Sequence, residues 1–564
     1  MKILKTENIV FSIIIFSLLF LLIRCGDIET DLYLGGDISL EDARNYSPDT
    51  QVYYDYGYQY DYGNIGRDTG YIEPERPNPY AAVPPITSDK YLFLLNPSNN
   101  SIAIIEPESL KVFSVKMDFS PKNLIVIPKT DYALVLADKA SKIAMLSIDK
   151  DTTNILSFPL GQQYNDISVS PDGKYIIAYY NELLRQNNEI YAGEGRINLI
   201  KTEDISKLKI NPNEKIYKEI DVGRRITNIF YSQERNTAYI VSKERIYFLR
   251  LDDPFNELGN QEFININPNY TENVKNRIAT YLKNSEYIVL RYLSGQSLLV
   301  ISTVDLKSYE IRFESVITDM RVAKGMNKII LSFRDVGKIK IIPIPQGIVD
   351  NSLIKEVNLG DFLAGSLEIC ENQEFKKVLI YTNVYYREEL MILDLNDYSF
   401  EKIDHSYELD KAINFILCSP NGLSAIIIHK KGTDPNEHDP TEIAINNQEG
   451  FSVFGLVKKK INTQLLLNTQ PKTISFLDNS TYAMVTSSNP STNEFNAYIV
   501  ELTKPIINDD NIQFYSDIIY AGSIPGKDIF YVLQKHPVGR ISFIFMPSGI
   551  MKTITGFELN SLIE

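Results

Sequence analysis

The chain has 564 residues, is 44% hydrophobic and carries a net charge of −15, so it has material for a large folded core. That negative field repels phosphate, which excludes nucleic acid or a bare anionic membrane surface as the main partner. Three cysteines are too few for a disulfide framework, and four histidines leave little for His-dependent catalysis.

In chain order, Lys2 and Lys5 precede an apolar run over residues 9–23 that ends at Arg24-Cys25-Gly26-Asp27. A charged start followed by about 15 apolar residues has the form of a secretory signal, and is short for a membrane span of about 20. The cysteine after it, with Leu22 three residues before, resembles a bacterial lipobox, which implies lipidation at Cys25. Arg24 departs from that pattern, because a small residue normally stands there. An uncleaved N-terminal anchor and ordinary cleavage are therefore kept as alternatives; each places the remaining chain outside the cytoplasm, in a bacterial envelope.

Residues 26–88 change character. Residues 53–63 read YYDYGYQYDYG, and a proline-rich piece follows over 73–79. With few aliphatic residues to bury, this stretch is expected to be a disordered tether. A Tyr-rich adhesive or sugar-contacting segment is the alternative, since rings stack on sugars and on other rings.

From residue 89 to 564 one pattern recurs every 45–50 residues, the period of a propeller blade. Short β-branched and aromatic runs, expected to alternate, are separated by Asn, Asp, Gly, Ser and Pro. The leading run starts near Tyr91, Ala133, Tyr175, Tyr239, Tyr287, Ile329, Val378, Ala425, Tyr482 and Phe530, which makes about ten units. The turn Ser170-Pro171-Asp172-Gly173 punctuates one unit, and Ser419-Pro420-Asn421-Gly422 repeats its chemistry. With SPDGKYIIAYY over 170–180 and YLFLLNPSNNSIAIIEPESLKVFSV over 91–115, the chain resembles bacterial propellers with YVTN-type repeats, close to the TolB-like and WD40-like groups. The resemblance implies an all-β propeller of four-stranded antiparallel blades and carries no functional residue across.

Blades must stack in a ring to bury both faces. Ten units exceed the common four to eight; one unusually large closed ring is the expectation, with some degenerate units or a split into two propellers as the alternatives. The unit at Tyr91 lacks an innermost strand, and residues 557–563 (FELNSLI) look like one without partners. The reading is that they pair and close the ring, removing open sheet edges.

Candidate sites are few. An insertion over 430–442 gathers Asp434, Glu437, His438, Asp439 and Glu442, all possible metal ligands. Its spacing matches no metal loop, so an acidic surface loop is the preferred reading. Cys370 and Cys418 end the innermost strands of consecutive units. A disulfide needs their Cα atoms within about 7 Å, and neighbouring inner strands usually lie farther apart, so two buried thiols are preferred to a bond. Arg224-Arg225 is read as a solvated turn. No GxSxG elbow or P-loop is present, and the four histidines match no catalytic motif of the lactonase- and lyase-type propellers. The expectation is a monomeric, non-enzymatic envelope lipoprotein, without cofactor, binding an envelope protein, peptide or glycan. A lactonase- or lyase-like enzyme and a Tyr-tether adhesin are the alternatives.

Overall fold

The computed structural model describes residues 85–557, apart from 150–151, 186–194, 212–213, 253, 255–261, 294, 375, 384–387, 397–404, 433–437, 463, 470, 505 and 537. Cys25 and nearly all of the tether lie outside the described residues. Among those described, no helix is long and apolar enough to cross a membrane.

Ten antiparallel sheets form ten blades. Their inner strands are Ile86–Thr87, Pro121–Val126, Asp166–Val169, Asn228–Ser232, Arg277–Leu282, Asp319–Ala323, Ser366–Glu371, Ile413–Cys418, Pro471–Phe476 and Ile518–Ser523, which define blades 1–10. Each blade runs outward through consecutive strands. Blade 8 departs only at its rim, where Lys460–Ile461 and Leu465–Leu467 both pair with the third strand.

The repeated leading runs are the second strands of the ten blades, from Leu92–Asn96 to Ile529–Gln534. They do not alternate in burial as expected. Ala133–Ala137, Thr237–Val241 and Ser424–His429 are buried at every position. The reason is that each blade is covered on both faces by its neighbours, and a strand buried on both sides reads as a continuous apolar run. Outer strands such as Lys111–Lys116 and Ile550–Thr555 are largely exposed.

The SPDG and SPNG turns are built alike. Ser170 Oγ donates to Asp172 Oδ1 at 2.6 Å and accepts from the Tyr175 amide at 2.9 Å. Ser419 Oγ donates to Asn421 Oδ1 at 2.8 Å and accepts from the Ser424 amide at 3.1 Å. Gly173 and Gly422 take φ of +74° and +67°, which a β-carbon disfavours. At Gly422 an added Cβ would also lie 2.7 Å from the Glu371 backbone of blade 7, so this turn sets how closely blades 7 and 8 approach.

The ring closes, but not by the expected strand exchange. Ile86–Thr87 already hold the innermost place of blade 1, pairing with Phe93 and Leu92, so the propeller begins before residue 89. Blade 10 is complete by Ile550–Thr555. Phe557 is partly buried at the seam between blades 1 and 10, and residues 558–564 lie outside the described residues. Closure is by faces: Leu92, Leu94, Ala103 and Ile105 of blade 1 pack on Tyr531, Ile541 and Phe543 of blade 10, with Ile524 and Ile529 beside them. Lys527 and Glu108 add an ion pair at 2.5 Å across the seam.

Candidate functional site

Four-stranded up-and-down blades give the ring two faces. Loops from second to third strands, and from each outer strand to the next inner strand, emerge on one, here called upper. The remaining loops emerge on the lower face.

Charges on the inner strands are used largely to join blades. In blade 3, Asp166 is 1% exposed; it accepts from Tyr179 OH at 2.6 Å and Asn181 Nδ2 at 2.8 Å, and Asn123 of blade 2 reaches it at 3.4 Å. Between blades 6 and 7, Arg321 pairs with Asp319 at 3.3 Å and Glu368 at 3.8 Å, and its Nε donates to the Leu367 carbonyl at 3.0 Å. Asp319 in turn accepts from the Leu367 amide at 3.0 Å. Desolvation raises the Glu368 carboxyl to about 7 against the pull of Arg321. Between blades 9 and 10, Lys472 pairs with Asp517 at 3.1 Å and donates to the Ile518 carbonyl.

At the lower ends of the inner strands of blades 7 and 8, Cys370 and Cys418 form a disulfide with Cα atoms 5.4 Å apart. The preference for two thiols is thereby corrected. The two inner strands are in contact, and the Gly422 turn lets blade 8 approach the Glu371 backbone beside Cys370.

The blade 8 insertion joins the second strand to the third and contains a short helix, Pro440–Asn446. Asp434 and Glu437 lie outside the described residues. Asp439 caps the helix, its side chain accepting from the Thr441 amide at 2.7 Å, and Glu442 is half-buried in the first turn. Among the described residues no three His, Cys, Asp or Glu side chains gather as metal ligands, and His438 joins no such group.

Sequence reasoning missed what lies under this insertion. Lys411 is fully buried and donates to the Ile445 carbonyl of the helix at 3.0 Å. His429 Nδ1 lies 3.2 Å from the Lys411 carbonyl, and its Nε2 lies 2.5 Å from Ser452 Oγ. Burial, then neighbouring Lys411, depresses the imidazole to about 4, and burial depresses the Lys411 ammonium to about 8. Ser452 and His429 have nucleophile-and-base spacing, yet they are 2% and 1% exposed inside the blade. They act as structural hydrogen-bond partners. His429 does end an apolar run, but nothing in the chain links it to Ser452 before the strands are paired.

On the upper face near blades 3 and 4, Glu182 is 3% exposed and burial raises its carboxyl. Arg185, at 3.6 Å, opposes that shift, as do Arg225 and Lys275. Arg225 is thus part of this charge cluster, while Arg224 is exposed. On the lower side of blade 3, a groove of about 580 Å³ is lined by Asp204, Lys207, Lys215, Tyr217 and Glu219. Its charges pair internally, Lys207 with Asp204 at 2.6 Å and Lys215 with Glu219 at 3.5 Å.

A different surface opens at the upper mouth of blade 10. Tyr515, in the loop entering the inner strand, is 86% exposed. Ile519 and Tyr520 are each 39% exposed, although they sit on an inner strand. The strand register shifts between Ile518 and Tyr520, within the same stretch. The Arg540 guanidinium lies 5.5 Å from the Tyr515 ring centre, and exposed Lys535 ends the adjacent second strand. The result is an aromatic surface with cations beside it. Large exposed rings on a rigid rim suit binding of an extended, partly apolar ligand.

No protein-family model and no curated protein matches the chain. Solved structures similar to it include the dihydro-heme d1 dehydrogenase NirN, at 9% identity and TM-score 0.38, over 76% of this chain and 74% of that one. Apo AztD from Citrobacter koseri is similar at 12% identity and TM-score 0.33, over 69% and 96%. The Swd1 β-propeller domain from Myceliophteria thermophila is similar at 10% identity and TM-score 0.31, over 55% and 94%. At such values the architecture rests on the chain's own strand pairing.

Proposed function

We propose that this chain is a non-enzymatic propeller, anchored in a bacterial envelope through its N-terminus, that binds an envelope protein, peptide or glycan on its upper face. The observation that carries the reading is the outward-turned patch of Tyr515, Ile519 and Tyr520 beside Arg540. Exposed aromatic side chains clustered with an arginine have the composition of binding hot spots. The ring behind them is rigid, because neighbouring blades share their inner-strand charges and one pair shares a disulfide. Cys25 is the lipid attachment point in this reading.

The test is affinity capture with the full chain from solubilised native envelope, comparing wild type with Tyr515→Ala/Arg540→Ala. A partner recovered at least 10-fold less by a variant with unchanged Tm supports the upper-face site; equal recovery overturns it. Fatty-acid labelling of wild type that persists in Cys25→Ser overturns Cys25 as the attachment point.

A further inference from the structure

We propose that the upper-face patch of blade 10 is a docking site for the chain's own Tyr-rich segment, residues 46–63. This rests on the patch being a binding surface and names its resting occupant.

The path of the chain places that segment within reach. Pro85 leads into Ile86–Thr87, an inner strand that runs from the upper face towards the lower, so residues 1–84 join the ring on its upper side at blade 1. Blade 10 is the next blade across the seam, packed directly on blade 1. Packed sheets lie about 10 Å apart. Residues 64–84 between the Tyr-rich segment and Pro85 can reach at most about 70 Å, which covers the distance across the seam. Docking needs no long excursion, and covalent linkage makes it an intramolecular contact.

Composition matches the two surfaces. Residues 46–63 hold seven Tyr and three Asp with no Lys or Arg. The patch offers Tyr515, Ile519 and Tyr520 for stacking, with Arg540 and exposed Lys535 as cations. Lys472 at the same mouth is already paired with Asp517, so the attraction falls to Arg540 and Lys535. Aromatic rings spaced by Gly and Asp can stack in several registers, so the contact tolerates sliding. A docked tether would hold the patch until a tighter partner displaces it, and binding of that partner would free the tether.

A photo-crosslinking p-benzoylphenylalanine placed at position 515 of the full chain tests this directly. The expected result is an intramolecular cross-link mapping to residues 46–63. Its yield should fall at least 5-fold when Tyr54, Tyr56, Tyr58, Tyr60 and Tyr62 are changed to Ser, and at least 3-fold in 1 M NaCl. Hydrogen exchange of residues 514–520, read without any cross-linker, should speed up in the same Ser variant. Cross-links confined to the propeller, a cross-link to a second copy of the chain, or exchange at 514–520 unchanged by the Ser variant overturns the proposal. None of these readouts uses an external partner, so they fail or succeed separately from the affinity capture above.

Discussion

At the scale of single residues, His429 is held on both ring nitrogens. Its neighbours come from three directions: Lys411 from the loop entering blade 8, Ser452 from the third strand, and the helix Pro440–Asn446 above Lys411. The imidazole is held neutral, with its pKa depressed to about 4. The unfolded chain, titrating near 6.5, binds more protons between those values. The stability His429 confers is therefore complete above pH 6.5 and is lost as pH falls through 4, by up to about 3 kcal/mol. Half-buried Glu368 and Glu449 have raised values and act with the opposite sign, favouring the folded state at low pH. Lys411, lowered to about 8, titrates around that pH and is charged through the acid window below about pH 7. The informative quantity is thus the difference between two proteins. Between pH 7.5 and pH 4.5, wild type should lose more Tm than His429→Gln; parallel profiles would rule the account out.

At the scale of elements, the disulfide and the turns decide how blades 7 and 8 meet. The bond closes 48 residues of chain, which in the loop-entropy picture contributes about 4 kcal/mol, with 2–4 typical of measured bonds. Cys370→Ala/Cys418→Ala is expected to lower stability by about 2–4 kcal/mol under oxidising conditions. The gap to wild type should close when dithiothreitol is added, and a gap that ignores reductant would show that packing, not the bond, is responsible. Both cysteines could be placed on consecutive inner strands from the repeat alone. Their 5.4 Å Cα separation could not, because it depends on how far the turn at Gly422 lets one blade lean on the next. The same limit explains Ile519 and Tyr520. Their exposure depends on how that inner strand meets its neighbours, which the apolar composition of the run does not encode. What was legible was local chemistry that repeats, such as the Ser-Pro-Asp-Gly turn with its serine hydroxyl bridging five residues. What was not legible depends on contacts between units.

At the scale of the whole molecule, the repeat count was sound, and ten leading runs became ten second strands in one ring. The closing strand was not, because an innermost strand as short as Ile86–Thr87 leaves almost no pattern in a proline-rich stretch. Repeats of this kind hold their ends by nearest-neighbour packing, so the seam between blades 10 and 1 should resemble any other inter-blade face. Its energy then sits in buried side chains. The Lys527–Glu108 pair is partly exposed, and such pairs contribute about 0–1 kcal/mol. Phe543, fully buried between the two blades, should cost about 3–5 kcal/mol when cut to Ala. Removing residues 558–564 separates the two modes of closure. If those residues supplied a closing strand, their loss would open blade 1 and lower Tm as far as Phe543→Ala does. With Ile86–Thr87 in that place, the truncated chain should melt within a degree or two of wild type, while Phe543→Ala melts well below both. A truncation as damaging as Phe543→Ala would return closure to the C-terminal strand.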